Sequence, residues 1–212
     1  EMQPPIDQAY GADWNRQAFV GLSGGFGAVR IGKQYSNAFN NTVGVDPGGA
    51  TGIAGNASYC VLLGYSQCVG GSDAPLRQSN GMQYDLPEML PGLKAGLTMV
   101  LGEMNTANGG AATGDGNGFN LSYASGPFSV GYTFDQVKNT GIGLLSNPNN
   151  KALPLPLQIY DFAAASTSDK NKLTTVSASY DLGVAKISLN NTKMSVGSKV
   201  LDNTFAAVSV PV

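Results

Sequence analysis

The sequence contains no histidine, and only 12% of its 212 residues are charged. Histidine is the commonest general base and the commonest metal ligand in proteins, so its absence argues against acid–base enzymes and most metal sites. The two cysteines cannot complete a zinc site by themselves. The sequence also shows no nucleophile elbow and no phosphate-binding glycine loop before a helix. We therefore expect neither enzyme activity nor a metal or other cofactor.

A long hydrophobic run is missing as well. No run approaches the about 20 residues that a transmembrane helix requires, which excludes a helical membrane protein but not a β-barrel, whose strands carry a weaker signal. The net charge is only −2 and 42% of the residues are hydrophobic, so we expect neither a disordered chain nor a nucleic-acid-binding protein. The sequence begins at Glu1 without an initiator methionine or a signal peptide, and we interpret it as a mature or truncated product.

The main signal that the sequence does contain is an alternation of apolar and polar residues with a period of two. Between Phe128 and Asp135, apolar and aromatic residues occupy the even positions, whereas Ser, Gly, Thr and Asp occupy the odd ones. Such alternation is typical of strands with one apolar and one polar face. It predicts about nine strands, at residues 16–23, 28–36, 77–86, 93–103, 119–125, 128–137, 173–181, 184–194 and 203–210.

The connections between these predicted strands are short and long in turn. Short turns occur at residues 24–27, 87–92, 126–127 and 181–183, and long segments at 36–76, 104–118, 138–172 and 195–202. In an up-and-down antiparallel sheet, all the short turns then lie at one end and all the long loops at the other. Transmembrane β-barrels of the bacterial outer membrane have this asymmetry.

The polar face of the predicted strands consists mostly of Ser, Thr, Gly and Asn, whereas a soluble sheet usually carries many charges on its solvent face. Small polar groups suit a water-filled lumen, and the aromatic residues Tyr84, Phe128 and Tyr180 beside the short turns match an interfacial girdle. We predict an all-β, transmembrane, antiparallel up-and-down β-barrel. The alternative is a soluble or surface-displayed β-sandwich, such as an adhesin or lectin-like binding domain, because alternation by itself fits both.

An open sheet edge cannot persist in hydrocarbon, where unpaired backbone groups find no water. We therefore expect residues 1–212 to form part of a single barrel domain, with strands missing on both the N-terminal and the C-terminal side.

Two runs of the sequence resemble a known family. The run from Asn15 to Gly27, NRQAFVGLSGGFG, and the run from Val29 to Tyr35, VRIGKQY, resemble the general porins of Gram-negative outer membranes, most closely the β-proteobacterial type. Shorter matches occur at residues 46–48, 52–56, 77–85 and 125–132. The resemblance implies a homotrimer of barrels of about sixteen strands, surrounded by outer-membrane lipid and lipopolysaccharide. Each barrel would be a channel for passive diffusion of small hydrophilic solutes and ions.

The resemblance also implies that residues 36–76 are a constriction loop folded into the lumen, opposite arginines of the barrel wall. A structureless loop of more than about 15 residues is usually functional or disordered, which agrees with this interpretation. Arg16 and Arg77 match wall-arginine positions. Alternation from Met82 places Arg77 on the polar face, and alternation along its own strand places Arg30 there. Arg16 and Arg77 could each instead be a charged loop end.

The remaining charged candidates have weaker support. Asp46 and Asp73 are our candidates for the acidic side of the constriction, although the sequence does not show which carboxylate reaches the lumen. Alternation places Lys94 and Lys186 on the polar face near the short turns, in a vestibule. More Arg and Lys than Asp and Glu side chains are predicted to face inward. Because charges that line a narrow passage act strongly on a solute, this excess of positive charge favours a weak preference for anions.

Three further residues concern assembly and cross-linking. The resemblance places Lys33 near the trimer interface, although a solvated strand end is an equal alternative. Cys60 and Cys68 lie close together in a glycine-rich segment, and in an exported protein such a pair is most simply a disulfide that closes a loop. Two reduced thiols are the alternative.

Overall fold

The computed structural model describes residues 17–47, 77–104, 112–113, 115–138, 170–196 and 199–210. Among these residues there are eleven strands and one α-helix. In chain order they are β1 (Ala18–Gly24), β2 (Gly27–Tyr35), α1 (Asn37–Val45), β3 (Arg77–Asp85), β4 (Leu93–Val100), β5 (Glu103–Met104), β6 (Ala112–Thr113), β7 (Gly116–Ser125), β8 (Phe128–Lys138), β9 (Lys170–Asp181), β10 (Lys186–Val196) and β11 (Lys199–Ser209). No helix in these ranges is long and apolar enough to cross a membrane.

Nine of the strands form one antiparallel sheet in the order β1-β2-β3-β4-β7-β8-β9-β10-β11. Each strand of this sheet pairs with the sheet strand that follows it in the sequence. The two-residue strands β5 and β6 lie between β4 and β7 in the chain and pair only with each other. The prediction of an all-β, antiparallel, up-and-down arrangement is therefore confirmed, and each of the nine predicted segments corresponds to one strand of the sheet. Within the described residues the sheet is open, with β1 and β11 at its edges.

The short turns lie together at one end of this sheet because successive strands run in opposite directions. They join β1 to β2, β3 to β4, β7 to β8 and β9 to β10. Gly92, in the second of these turns, has a φ of +82°, and a Cβ atom there would collide with the carbonyl oxygen of Ala124 in β7. Only glycine fits both the left-handed backbone and this close approach.

The two faces of the sheet have opposite chemistry. The outward face carries large apolar side chains that are exposed, including Val20, Leu22, Ile31, Met82, Leu97, Met99, Leu121, Val130, Tyr132, Val176, Leu189 and Val208. The inner face carries buried polar side chains, including Gln83, Thr98, Thr133, Thr175, Ser177, Ser179, Ser188, Asn190 and Thr192. In β9, Val176 is 44% exposed whereas its neighbour Thr175 is 0% exposed. The sheet is thus apolar outside and polar inside, the reverse of a soluble protein.

The helix α1 packs on the inner face, over β7 to β10. Its sequence, NAFNNTVGV, contains Asn and Gly, which are poor helix formers. Ser36 caps the N-terminus, because its hydroxyl accepts a hydrogen bond from the Phe39 N–H at 3.2 Å. The helix ends at Val45, and the N–H of the C-cap residue Asp46 donates to the Thr42 carbonyl at 3.0 Å. Capping and contact with the sheet, rather than propensity, therefore account for this helix.

A bulge interrupts the pairing of β2 with β3. The register shifts between Gly32 and Gln34, and Asn80 on the facing strand has a φ of +55°. The buried Gln34 amide fills the irregularity by donating to the carbonyl oxygens of Arg30 and Gly81, at 3.2 and 3.3 Å. The extra residue changes the alternation along β3, so that both Gln83 and Gln78 are buried on the inner face.

Candidate functional site

The first turn of α1 is hydrogen bonded to three neighbouring strands of the inner face. The Asn37 amide donates to the Thr98 hydroxyl at 2.9 Å and to Asp135 Oδ1 at 3.1 Å. Its carbonyl oxygen accepts from the Asn120 amide at 3.1 Å. One side chain of the helix is therefore bonded to β4, β7 and β8 at once.

The backbone of the same turn is bonded to the same carboxylate. The Ala38 N–H donates to Asp135 Oδ2 at 3.1 Å. The N–H groups of a first helical turn have no partner inside the helix, and a negative charge there also complements the helix dipole. Asp135 thus caps α1 from a strand that lies 97 residues further along the chain.

A second set of contacts seats the helix one turn later. The Asn41 amide donates to the Thr175 hydroxyl at 2.7 Å, and its carbonyl oxygen accepts from the Ser177 hydroxyl at 2.6 Å. The space for Asn41 exists because residue 131 is a glycine. A Cβ atom on Gly131 would collide with the Asn41 carbonyl oxygen and lie 2.8 Å from the Ser177 hydroxyl.

Between α1 and the short-turn end of the sheet lies a hollow of about 540 Å³. Its lining includes polar and charged side chains from the inner face and the helix, among them Arg30, Asn40, Gln83, Asp85, Lys94, Asn120, Ser122 and Ser129. The helix therefore covers only part of the inner face and leaves a space beside it that is large enough for a small hydrated solute.

Arg30 and Asp85 form an ion pair at the edge of this hollow, with Arg30 Nη2 donating to Asp85 Oδ2 at 2.6 Å. The Arg30 guanidinium also lies 5.9 Å from the centre of the Phe19 ring. Asp85 is not among the pore residues predicted from the sequence. The signal for it was available, because Asp85 shares the alternation of Gln83 in β3 and precedes the short turn to β4.

The structure describes some of the predicted pore residues. Arg30 and Lys94 both line the hollow, and Lys186 lies on the inner face beside the turn between β9 and β10. Asp46 is buried at the end of α1. Their roles in permeation stay predictions, as does the role of Lys33, which is half-buried in β2 opposite Ala18.

Some predicted pore residues and the predicted disulfide are not described. Arg16, Asp73, Cys60 and Cys68 lie outside the described residues. Arg77 begins β3 opposite Tyr35, but its side chain is not described. Because the bulge at Asn80 changes the alternation, counting from Met82 no longer supports an inward orientation of Arg77. Its place in the lumen stays a prediction.

The three predicted girdle residues lie at the short-turn end of the sheet. Phe128 and Tyr180 face each other across β8 and β9, and both are exposed on the apolar face. The Tyr84 hydroxyl donates to the Phe26 carbonyl oxygen at 2.7 Å in the neighbouring turn. An aromatic ring on the apolar face with its hydroxyl directed to a turn suits a membrane interface.

The described residues contain no group of three His, Cys, Asp or Glu side chains that could hold a metal ion. What the site offers chemically is a set of hydrogen-bonding groups and a few charges along an inner wall, partly covered by a helix.

Comparison with known proteins places this arrangement in a family. Residues 6–211 match the family model described as Gram-negative porin. The chain is 27% identical over 209 residues to outer membrane porin protein 32 of Delftia acidovorans, covering 96% of this chain and 52% of that protein.

Solved structures agree with this match. An anion-selective porin from Comamonas acidovorans superposes with a TM-score of 0.68 at 25% identity, covering 95% of this chain and 54% of the other. OmpT of Vibrio cholerae, which has also been solved in a trimer form, superposes with a TM-score of 0.55 at 14% identity, over 90% of this chain and 51% of the other, and so supports the fold alone. The chain spans about half the length of these relatives. The chain belongs to the Gram-negative porins, the β-barrel proteins of the bacterial outer membrane.

Proposed function

We propose that the protein is a channel for the passive diffusion of small hydrophilic solutes and ions across the outer membrane, and not an enzyme. The observation that supports this best is the reversed chemistry of the sheet, with buried polar side chains inside and exposed apolar side chains outside. Lipid can cover the apolar face, and water can fill the space beside the polar face. The β-sandwich alternative is not favoured, because it places its apolar face against a second sheet.

The constriction of this channel is formed by residues 36–76, of which α1 is the described beginning. The position of α1 on the inner face supports this, since a helix there narrows the lumen. The hollow of about 540 Å³ beside α1 is the remaining passage at this level.

The channel has a weak preference for anions. Lys94 is exposed to the hollow, and Arg30 lines it. Asp85 compensates the charge of Arg30, which keeps the preference weak. The relative from Comamonas acidovorans, which is described as anion-selective, supports the same sign of selectivity.

In the membrane the protein is a homotrimer in contact with lipopolysaccharide, as its family membership suggests. The trimer form of the Vibrio cholerae relative supports this assembly. Lys33, on the edge pair β1–β2, is the described residue that we assign to the interface between protomers.

The test is single-channel recording from the native protein, extracted from outer membranes in detergent and inserted into a planar bilayer. We expect long-lived openings in groups of three, and a reversal potential in a potassium chloride gradient that indicates modest anion preference. A folded, heat-modifiable sample that gives no conductance would contradict the channel, and a cation-selective reversal potential would contradict the anion preference alone.

A further inference from the structure

Asp135 is one of two carboxylates, with Asp46, that are buried among the described residues, and it is only 4% exposed. A buried carboxylate loses its hydration, and this loss is tolerated only where hydrogen bonds replace it. Asp135 receives such bonds from the Asn37 amide, from the Ala38 N–H and from the Gln78 side chain.

These donors lie on both sides of the proposed constriction loop. Asn37 and Ala38 are at the beginning of the segment 36–76, and Gln78 comes two residues after its end. One carboxylate on β8 therefore binds both roots of the segment to the same point of the wall. The bulge at Asn80 makes this possible, because it brings Gln78 onto the inner face.

We propose that Asp135 is the positioning residue of the constriction: it clamps both roots of the segment 36–76 to the wall and thereby sets the width of the open pore. This inference rests on the proposed function, since it assigns a role within that channel. Asp135 acts through α1 and need not touch the permeating solute.

The sequence of α1 gives the helix little stability of its own, and its other anchor to the wall is Asn41, which is bonded to Thr175 and Ser177. The helix has no acidic residue in its first turn and no basic residue in its last turn, and its Asn and Gly residues disfavour a free helix. Without Asp135, the Ala38 N–H and the Asn37 amide lose their charged acceptor, whereas β8 keeps its backbone pairing with β7 and β9. We therefore expect the loss of Asp135 to loosen the loop and leave the barrel wall intact.

The first measurement is hydrogen exchange of the amides of α1 in the native protein carrying Asp135→Asn. Asparagine keeps the size of the side chain but directs an NH₂ group at one of the donors. We expect exchange at residues 38–45 to become at least about tenfold faster. Asp181→Asn is the matched control, because it removes the same charge from the exposed end of β9, far from α1, where Asp181 accepts from the Gly183 N–H. It should leave the exchange of α1 unchanged.

The second measurement is single-channel recording of the same variants. With Asp135→Asn we expect larger current fluctuations in the open state than with Asp181→Asn, and the same unfolding temperature of the barrel in both. Asn37→Ala removes the side-chain bond of the helix to Asp135, together with the bonds of Asn37 to Thr98 and Asn120, and leaves the Ala38 N–H bond and the strand pairing in place. It should shift exchange and current noise in the same direction, and it keeps the proposal testable if Asp135→Asn fails to fold.

The outcomes separate the two proposals. If the wild-type protein conducts but exchange and current noise are unchanged in Asp135→Asn and Asn37→Ala, the proposed clamp is wrong. The proposed channel function is then still supported. If both variants show faster exchange but the wild-type protein never conducts, the channel is overturned. The role of Asp135 in setting the pore width is then overturned as well. Faster exchange with unchanged open-state noise would also overturn that role.

Discussion

Arg30 in β2 and Asp85 in β3 are joined by a hydrogen bond of 2.6 Å between Nη2 and Oδ2, on the polar face of the sheet. Their side chains are 33% and 43% exposed, so the pair stands at the surface of the hollow and not in a dry core. Because the carboxylate of Asp85 neutralises most of the charge of Arg30, the pair attracts a passing anion only weakly. Counting inward-facing Arg and Lys residues in the sequence therefore overestimates the positive charge of the lumen.

Asp85→Asn should strengthen the anion preference, because it frees the charge of Arg30 for the permeating ion. We expect the anion-to-cation permeability ratio to rise about two- to fivefold, with the larger effect at low salt. The measurement is the reversal potential in a potassium chloride gradient. Asp202→Asn, exposed in β11 opposite the outward-facing Lys193, removes the same charge away from the hollow and is the control. An unchanged ratio would show that the pair does not face the ion path.

Lys94→Gln should weaken the anion preference. Lys94 lines the hollow on the polar face of β4, so its charge faces the passage. We expect the permeability ratio to fall about two- to fivefold. Lys193→Gln provides the control, because Lys193 is exposed in β10 between the buried residues Thr192 and Met194 and so faces outward. If both substitutions change selectivity equally, the effect is one of overall charge and not of a lumenal position.

The strands were predictable from the sequence because each one carries its own signal. The alternation from Phe128 to Asp135 defines both faces of β8 without reference to any other part of the chain. The faces could also be assigned, since the polar positions carry Ser and Thr in place of Lys and Glu.

The helix α1 and its anchors were not predictable in this way. The sequence from Asn37 to Val45 disfavours a helix by propensity, and the bonds that hold it connect residues far apart in the chain. Asp135 appears in the sequence only as one polar position among several in β8. The bulge was equally hidden, because nothing in the local pattern shows that Asn80 adopts a left-handed backbone. This is why alternation was a sound guide for Arg30 but an insufficient one for Arg77.

Leu121→Lys should destabilise the protein in a bilayer. Leu121 is exposed in the middle of β7 on the apolar face, where it pairs with Tyr132. A lysine facing lipid near the midplane costs about 2–4 kcal/mol. The neighbouring Ser122 lies on the polar face beside the hollow, so Ser122→Lys should cost less than about 1 kcal/mol. Urea unfolding in lipid vesicles measures both. Equal effects of the two substitutions would contradict the assignment of the apolar face to lipid.

Gly92→Ala should destabilise the turn between β3 and β4. Gly92 has a φ of +82°, and an added Cβ atom would collide with the carbonyl oxygen of Ala124. The turn must therefore shift, which we expect to lower the free energy of unfolding by about 1–3 kcal/mol. Gly25→Ala is the matched control, because a Cβ atom on Gly25 meets nothing within 4 Å. It lies in the turn between β1 and β2 and should change stability by less than about 0.5 kcal/mol. Equal stability of the two variants in urea unfolding would show that β4 and β7 do not approach each other closely at this turn.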